Sequence, residues 1–283
     1  MGRLARTLVA LIVIGTVGCG GCGSGSTGAP SIAVGSYPGP ESVLIAHIYA
    51  AALRSYGNPA HVQSSSDPLL ELDSGDVRVV PGFTGRILHR FDPDATARSA
   101  AQVYREMVSA LPEGVAAGDY TTSAEDKPAL AVAEPTADAW GGRDVTAAVH
   151  NCDKLKVGQV DEAPRPSAVG TCKMADPHEY PDSATLFAAV RAGQLNAAWT
   201  TTAAPNIPAE LLMLSDRTSL IRAENLVPLY RRNELNESQV LALNEVAGVL
   251  DTAALADMRA QIGKGTEPGL VAGAFIDEHP LGD

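Results

Sequence analysis

The sequence predicts an α/β protein of two lobes joined by two chain crossings. Three observations lead there. Short apolar strands alternate with amphipathic helices from Ser31 to Glu278, with no internal repeat. Two polar stretches without periodicity, Val115–Lys127 and Ala203–Pro208, break that alternation. Roughly 260 of the residues follow an N-terminal leader, enough for one large domain or two lobes of ordinary size. The expected division is 31–117 for the first lobe, 118–205 for the second, and 206–283 returning to the first.

Ser31–Gly35 reads as a buried strand, followed by a Ser36-Tyr37-Pro38-Gly39 turn. A helix then begins near Pro40–Glu41, where proline and an acid suit a helix N-terminus. Leu44, Ile45, Ile48, Ala52 and Leu53 form its apolar face and Gly57 its cap. Ala60–Ser64 is a short polar strand, Leu69–Leu72 a brief helix, and Asp76–Val80 an alternating strand. Pro81–Gly85 repeats the opening strand-end turn and feeds a helix at Arg86–Phe91, so both turns are expected to face one cleft. Asp94–Leu111 is an amphipathic helix ended by Pro112 and Gly114. Beyond the first crossing come a strand at Ala129–Ala133, a helix within Pro135–His150 and a strand at Lys154–Val160. Asp161–Pro181 reads as a long Pro-rich loop, Ser183–Ala192 as a helix and Asn196–Thr202 as a strand. Strands at Leu211–Leu214 and Leu226–Tyr230 and helices at Ser238–Leu250, Thr252–Ile262 and Pro268–Glu278 complete the chain.

Residues 1–18 carry Arg3 and Arg6 before the apolar run Leu8–Val17, the pattern of an export signal too short to span a bilayer. Thr16-Val17-Gly18-Cys19 resembles a bacterial lipobox, which makes Cys19 the expected lipidated residue and Cys22 a weaker candidate. Residues 19–30 then form a Gly/Ser-rich tether. No later run is long and apolar enough to cross a membrane. The formal net charge of −12 falls by two more when the leader arginines are removed, which argues against nucleic acid or anionic lipid as partners. Cys152 and Cys172 lie in the exported region, where oxidation is allowed, and are expected to pair. The rival, a metal site with His150, Asp153 and His178, lacks a recognised ligand spacing. No metal or other cofactor is expected.

The motifs taken together resemble the substrate-binding lipoproteins of glycine betaine/choline/proline ABC importers. The residues that carry this are IAVGS…PESVLIAHIYAAALRSYG, L…GDVRVVPGFTG, LLMLSD, NLVPLYRR and LNEVAGVLDTAALADM…VAGAFI, in that order. Low lysine with high alanine and arginine is similar to actinobacterial composition. The resemblance implies a two-lobed type II periplasmic-binding fold that captures a solute and presents it to a membrane permease, without catalysis. It also implies a monomer at the outer face of the cell membrane, touching the bilayer through its lipid alone. In the family, a quaternary ammonium rests on aromatic faces. Here Phe83 replaces the tyrosine of the Tyr-Thr-Gly motif, Glu125-Asp126-Lys127-Pro128 stands where relatives carry Asn and an aromatic, and Arg222-Ala223-Glu224 replaces a late aromatic.

The candidate ligand residues are Ser36, Tyr37, Glu41, Phe83, Thr84, Tyr120, Trp199 and Thr201, all on turns, crossings or strand ends. Tyr37 and Phe83 are placed to flank a cation with Glu41 as counter-charge. Glu41 fits equally well as a helix-stabilising acid, Phe83 as a core residue, and Trp199 on either face of its strand. Against an enzyme, the sequence has no Gly-x-Ser-x-Gly elbow, His-Glu-x-x-His, phosphate loop or Gly-x-Gly-x-x-Gly after a strand, the Gly/Cys run at Gly18–Gly25 being leader and tether.

Overall fold

The computed structural model describes residues 30–161, 163 and 165–282. The export signal, Cys19, Cys22 and all of the tether but Pro30 lie outside the described residues. Along the chain run β1 (Ile32–Ser36), α1 (Pro40–Ser55), β2 (Ala60–Ser64), α2 (Pro68–Ser74), β3 (Val79–Phe83), α3 (Thr84–Phe91), α4 (Ala100–Ala110) and β4 (Val115–Ala117). The middle supplies β5 (Pro128–Ala133), α5 (Glu134–Trp140), α6 (Val145–His150), β6 (Val157–Val160), β7 (Ala168–Val169), β8 (Cys172–Lys173), β9 (His178–Tyr180), α7 (Ser183–Arg191), β10 (Ala197–Thr201) and β11 (Leu211–Met213). The last part is β12 (Leu226–Arg231), α8 (Glu237–Val249), α9 (Thr252–Gly263) and α10 (Pro268–Glu278).

Two mixed five-stranded sheets result, ordered β2-β1-β3-β12-β4 and β11-β5-β10-β6-β9. Each has a core on both faces, the arrangement of a doubly wound lobe. In the first lobe one core gathers α1, α8, α9 and α10, and the other gathers α3 and α4. In the second, Leu130, Val132 and Trp199 pack with α5 and α6, while Ala131 and Ala198 pack with α7. Helix α1 is the keystone of the first lobe, with every residue from Leu44 to Leu53 except His47 buried. A helix apolar nearly all round must be enclosed by its neighbours, and here α10, α8 and β2 enclose it. It ends where Gly57 takes a left-handed conformation (φ 75°) that a side chain would disfavour.

Four elements differ from expectation. The strand expected at Asp76–Val80 lies three residues later, and Pro81-Gly82-Phe83 is strand rather than turn. Pro81 faces Pro228 across the β3–β12 ladder. Because Thr84 N–H donates to Asn225 O at 2.9 Å, alternation makes the proline pair a non-hydrogen-bonded one, so neither missing N–H weakens the ladder between them. The expected helix in Pro135–His150 is two, divided at Gly141 (φ 76°). The Pro-rich loop likewise contains the β7–β8 hairpin and β9, an edge strand of the second sheet.

The return crossing also lies later in the chain than expected. After β10 the chain turns at Ala203–Pro208, but β11 pairs antiparallel with β5, so residues 206–214 belong to the second lobe. Ile221 still packs in the second lobe's core, and Ala223 already sits in the first lobe's. The chain crosses at Arg222. Both crossings run side by side, bridged at Glu125 and Asn225, with Asp126 N–H donating to Glu224 O at 2.9 Å.

Cys152 and Cys172 are joined with a Cα–Cα distance of 5.6 Å, tying the turn after α6 to the β7–β8 hairpin. On the loop-closure estimate, the C152S/C172S double variant should lose about 3 kcal/mol of stability in urea denaturation. Equal midpoints with and without reductant would show that the crosslink restrains little.

Candidate functional site

The two strand-to-helix passages, at the starts of α1 and α3, face each other across the mouth of the first lobe. Glu41 from the first and Arg86 from the second form an ion pair at 3.2 Å. Arg86 also pairs with Asp126 of the forward crossing at 3.1 Å. Arg259, from α9, reaches the same two acids, Asp126 at 2.8 Å and Glu41 at 3.3 Å. It donates as well to Ala203 O, just beyond β10, at 3.1 Å. A fifth charge comes from the return crossing: Glu224 Oε2 accepts from Arg86 N–H at 2.9 Å. The carboxylate thus caps α3, where free N–H groups favour an anion. Gly85 makes this approach possible, since a Cβ there would lie 2.6 Å from both Ala223 O and Glu224 Oε1.

Burial sets the protonation of these acids. Glu224 is pushed up to about 7 by desolvation, against the pull of Arg86 and the backbone N–H groups of Arg86 and Gly85. Desolvation and the Asp126 carboxylate raise Glu41 despite Arg259 and Arg86. Desolvation acts on Asp126 too, but Arg259, the Glu41 carboxyl, the nearby Thr201 hydroxyl and Arg86 outweigh it and hold Asp126 below the usual carboxylate range. Asp126, with its side chain 1% exposed, is the charged centre of the cluster.

This cluster forms the hinge wall of a cleft of about 530 Å³ between the lobes. The opposite wall comes from the second lobe, with Ser183 and Phe187 of α7 and Trp199 and Thr201 of β10. Trp199 belongs to the second core as well. Its Nε1 is buried without a hydrogen-bond partner among the described residues. Glu41 Oε1 and Thr201 Oγ1 are buried too and make no well-aligned hydrogen bond, the first standing 3.3 Å from Arg259 Nη1 and the second beside Asp126. A second hollow of about 410 Å³ opens on the first lobe's side of Glu41 and Arg86, lined by Tyr37, Leu69, Phe83 and Arg90.

The expected site residues therefore divide. Glu41, Trp199 and Thr201 line the cleft, and Tyr37 and Phe83 the adjoining hollow. Phe83 is also core, and its outer face is covered by Arg86, whose Cζ lies 4.5 Å from the ring centroid. Ser36 is buried and hydrogen-bonds Ser64 Oγ at 2.7 Å, away from the cleft. Thr84 is buried too, and its Oγ1 accepts from Asn225 N–H at 3.1 Å, stitching α3 to the return crossing. Tyr120 stacks on Tyr104 with centroids 4.7 Å apart, half-buried against the first lobe's second core. These three hold the frame. Sequence reasoning does not single out Arg86, Asp126, Glu224 and Arg259; their one signal is the acids of Glu125-Asp126 and Glu224 in segments where the resemblance implies aromatics.

No protein-family model matches the chain, and no curated protein matches it. Solved structures do. A glycine betaine/carnitine/choline ABC transporter structure superposes with a TM-score of 0.72 at 16% identity, covering 88% of this chain and 98% of the other. Apo YehZ from Escherichia coli gives 0.70 at 19%, covering 89% and 99%. A choline-binding protein of an ABC transporter, in complex with choline, gives 0.55 at 15%, covering 88% and 89%. The chain has the type II periplasmic-binding fold. Within that fold, the interlobe cleft is where the charged cluster and both crossings meet.

The raised carboxyl of Glu224 has a measurable consequence. Between its ordinary 4.5 and about 7 the folded state holds this proton more tightly than the unfolded chain does. Its contribution to stability is therefore greatest below that window and is lost as pH rises through it. E224Q keeps an acceptor for Arg86 N–H without titrating. Its stability relative to the wild type should rise by about 2 kcal/mol between about pH 5 and about pH 8 in denaturant titrations. A constant difference across that range would exclude a raised Glu224.

Proposed function

We propose that this protein is an extracytoplasmic solute-binding protein of an ABC importer. It is held at the outer face of the cell membrane by a lipid on Cys19, and its lobes close on one small osmolyte-like solute, a quaternary amine or a zwitterion. The observation that carries the reading is the cleft itself, which encloses about 530 Å³ between two sheets joined by paired crossings. Such a volume suits a small molecule, and paired crossings allow hinge closure around it. The named functions of the structures with this fold, glycine betaine/carnitine/choline transport and choline binding, support the same role. Its partners are then the solute and a membrane permease, and it acts as a non-catalytic monomer.

A second reading is favoured by one observation. Arg86 covers Phe83, and Glu224 caps α3, so the protein's own charges occupy places a zwitterion would use. On that reading the chain is a surface lipoprotein that keeps the fold as an envelope interaction module. A thermal-shift screen of compatible solutes, amino acids and small amines separates the two. A bound solute at a hundredfold excess over its Kd should stabilise the protein by about 2.7 kcal/mol. A melting curve that nothing moves leaves the interaction module. For the anchor, C19S should shift the protein from membrane to soluble fractions; retention in the membrane would remove Cys19 from that role.

A further inference from the structure

Resting on the solute-capture reading, we infer that Arg86 sets the ligand class: it is a built-in cation on Phe83, and the cleft takes a small zwitterion whose amine still carries N–H. A quaternary ammonium needs an open aromatic face. Phe83 offers none, with the guanidinium 4.5 Å from its centroid. Tyr37 shares with Phe83 the hollow beside the cleft and lines no part of the cleft itself, and Tyr120 is stacked on Tyr104. Trp199 and Phe187 remain along the second-lobe wall, and both are core residues there.

Displacing Arg86 is no remedy. Its Nη1 donates to Glu41 at 3.2 Å and its Nη2 to Asp126 at 3.1 Å. A trimethylated nitrogen brings charge but no proton to donate, so both acids would lose a charge-assisted hydrogen bond. The unmet demand of the cleft points the other way. Trp199 Nε1 is a buried donor without a partner among the described residues. Glu41 Oε1 and Thr201 Oγ1 are buried acceptors that make no well-aligned hydrogen bond, Arg259 Nη1 standing 3.3 Å from the first and Asp126 beside the second. An ammonium with N–H satisfies the acceptors. A carboxylate oxygen satisfies the indole N–H.

The test is a graded methylation series, glycine, N-methylglycine, N,N-dimethylglycine and glycine betaine, read by thermal shift and calorimetry on the full chain. The wild type should respond most to the unmethylated or singly methylated members, by roughly 5–10 °C at a hundredfold excess over Kd, and not to glycine betaine. In parallel, tetramethylammonium is titrated against R86A, with R86Q as the second variant should R86A fail to fold. Opening the Phe83 face beside Glu41 should tighten tetramethylammonium binding roughly 3–30-fold over the wild type. Glycine betaine shifting the wild type as much as glycine overturns the inference while solute capture stands. So does a folded Arg86 variant with no gain for tetramethylammonium. A wild type silent to the whole series overturns the ligand class and counts against solute capture itself.

Discussion

The cleft depends on one charge that has no access to water. Asp126 sits where the chain leaves the first lobe, its carboxylate sealed from solvent. Isolated there, such a charge would be prohibitively costly. It persists because Arg86 and Arg259, from two different helices, converge on it. Removing one partner of such a buried group typically costs several kcal/mol, although the intact pair is not thereby a large net stabiliser. What the pairing secures is position. It fixes α3, α9 and the forward crossing relative to one another at the point where the lobes meet.

The same residues explain how this cleft departs from the aromatic cage that the sequence resemblance implied. Asp126 and Glu224 both fall within the segments where the resemblance implied aromatics. Once acids stand there, arginines must answer them. Arg86 does so from α3, and in reaching Asp126 it lies across Phe83. The charges of this cleft are thus linked through Arg86 rather than independent of one another.

Local signals made much of the fold legible. Helix α10 was delimited correctly at both ends, since proline starts it and its apolar face is uninterrupted. Helix α1 announced itself through Pro40, Glu41, its apolar run and Gly57. β3 was misplaced because Pro-Gly reads as a turn unless the opposing proline is known, and Pro228 is far away in sequence. The lobe of β11 is not legible because three residues carry no information about which sheet edge they join. The charge cluster was illegible for the same reason. Glu41, Arg86, Asp126, Glu224 and Arg259 are scattered over most of the chain, and no spacing rule brings them together. Thr84, Ser36 and Tyr120 sat at the right kind of place, but a strand-end position does not say which way a side chain turns.

The true membership of β11 bears on how the molecule can be divided. A fragment ending at residue 205 would strip β5 of its outer neighbour and leave that hydrophobic strand as a bare edge. Unpaired edges of that kind invite chain-to-chain pairing and insoluble assemblies. Excision of the middle lobe as an autonomous piece therefore has to run on to Ile221, where its packing ends.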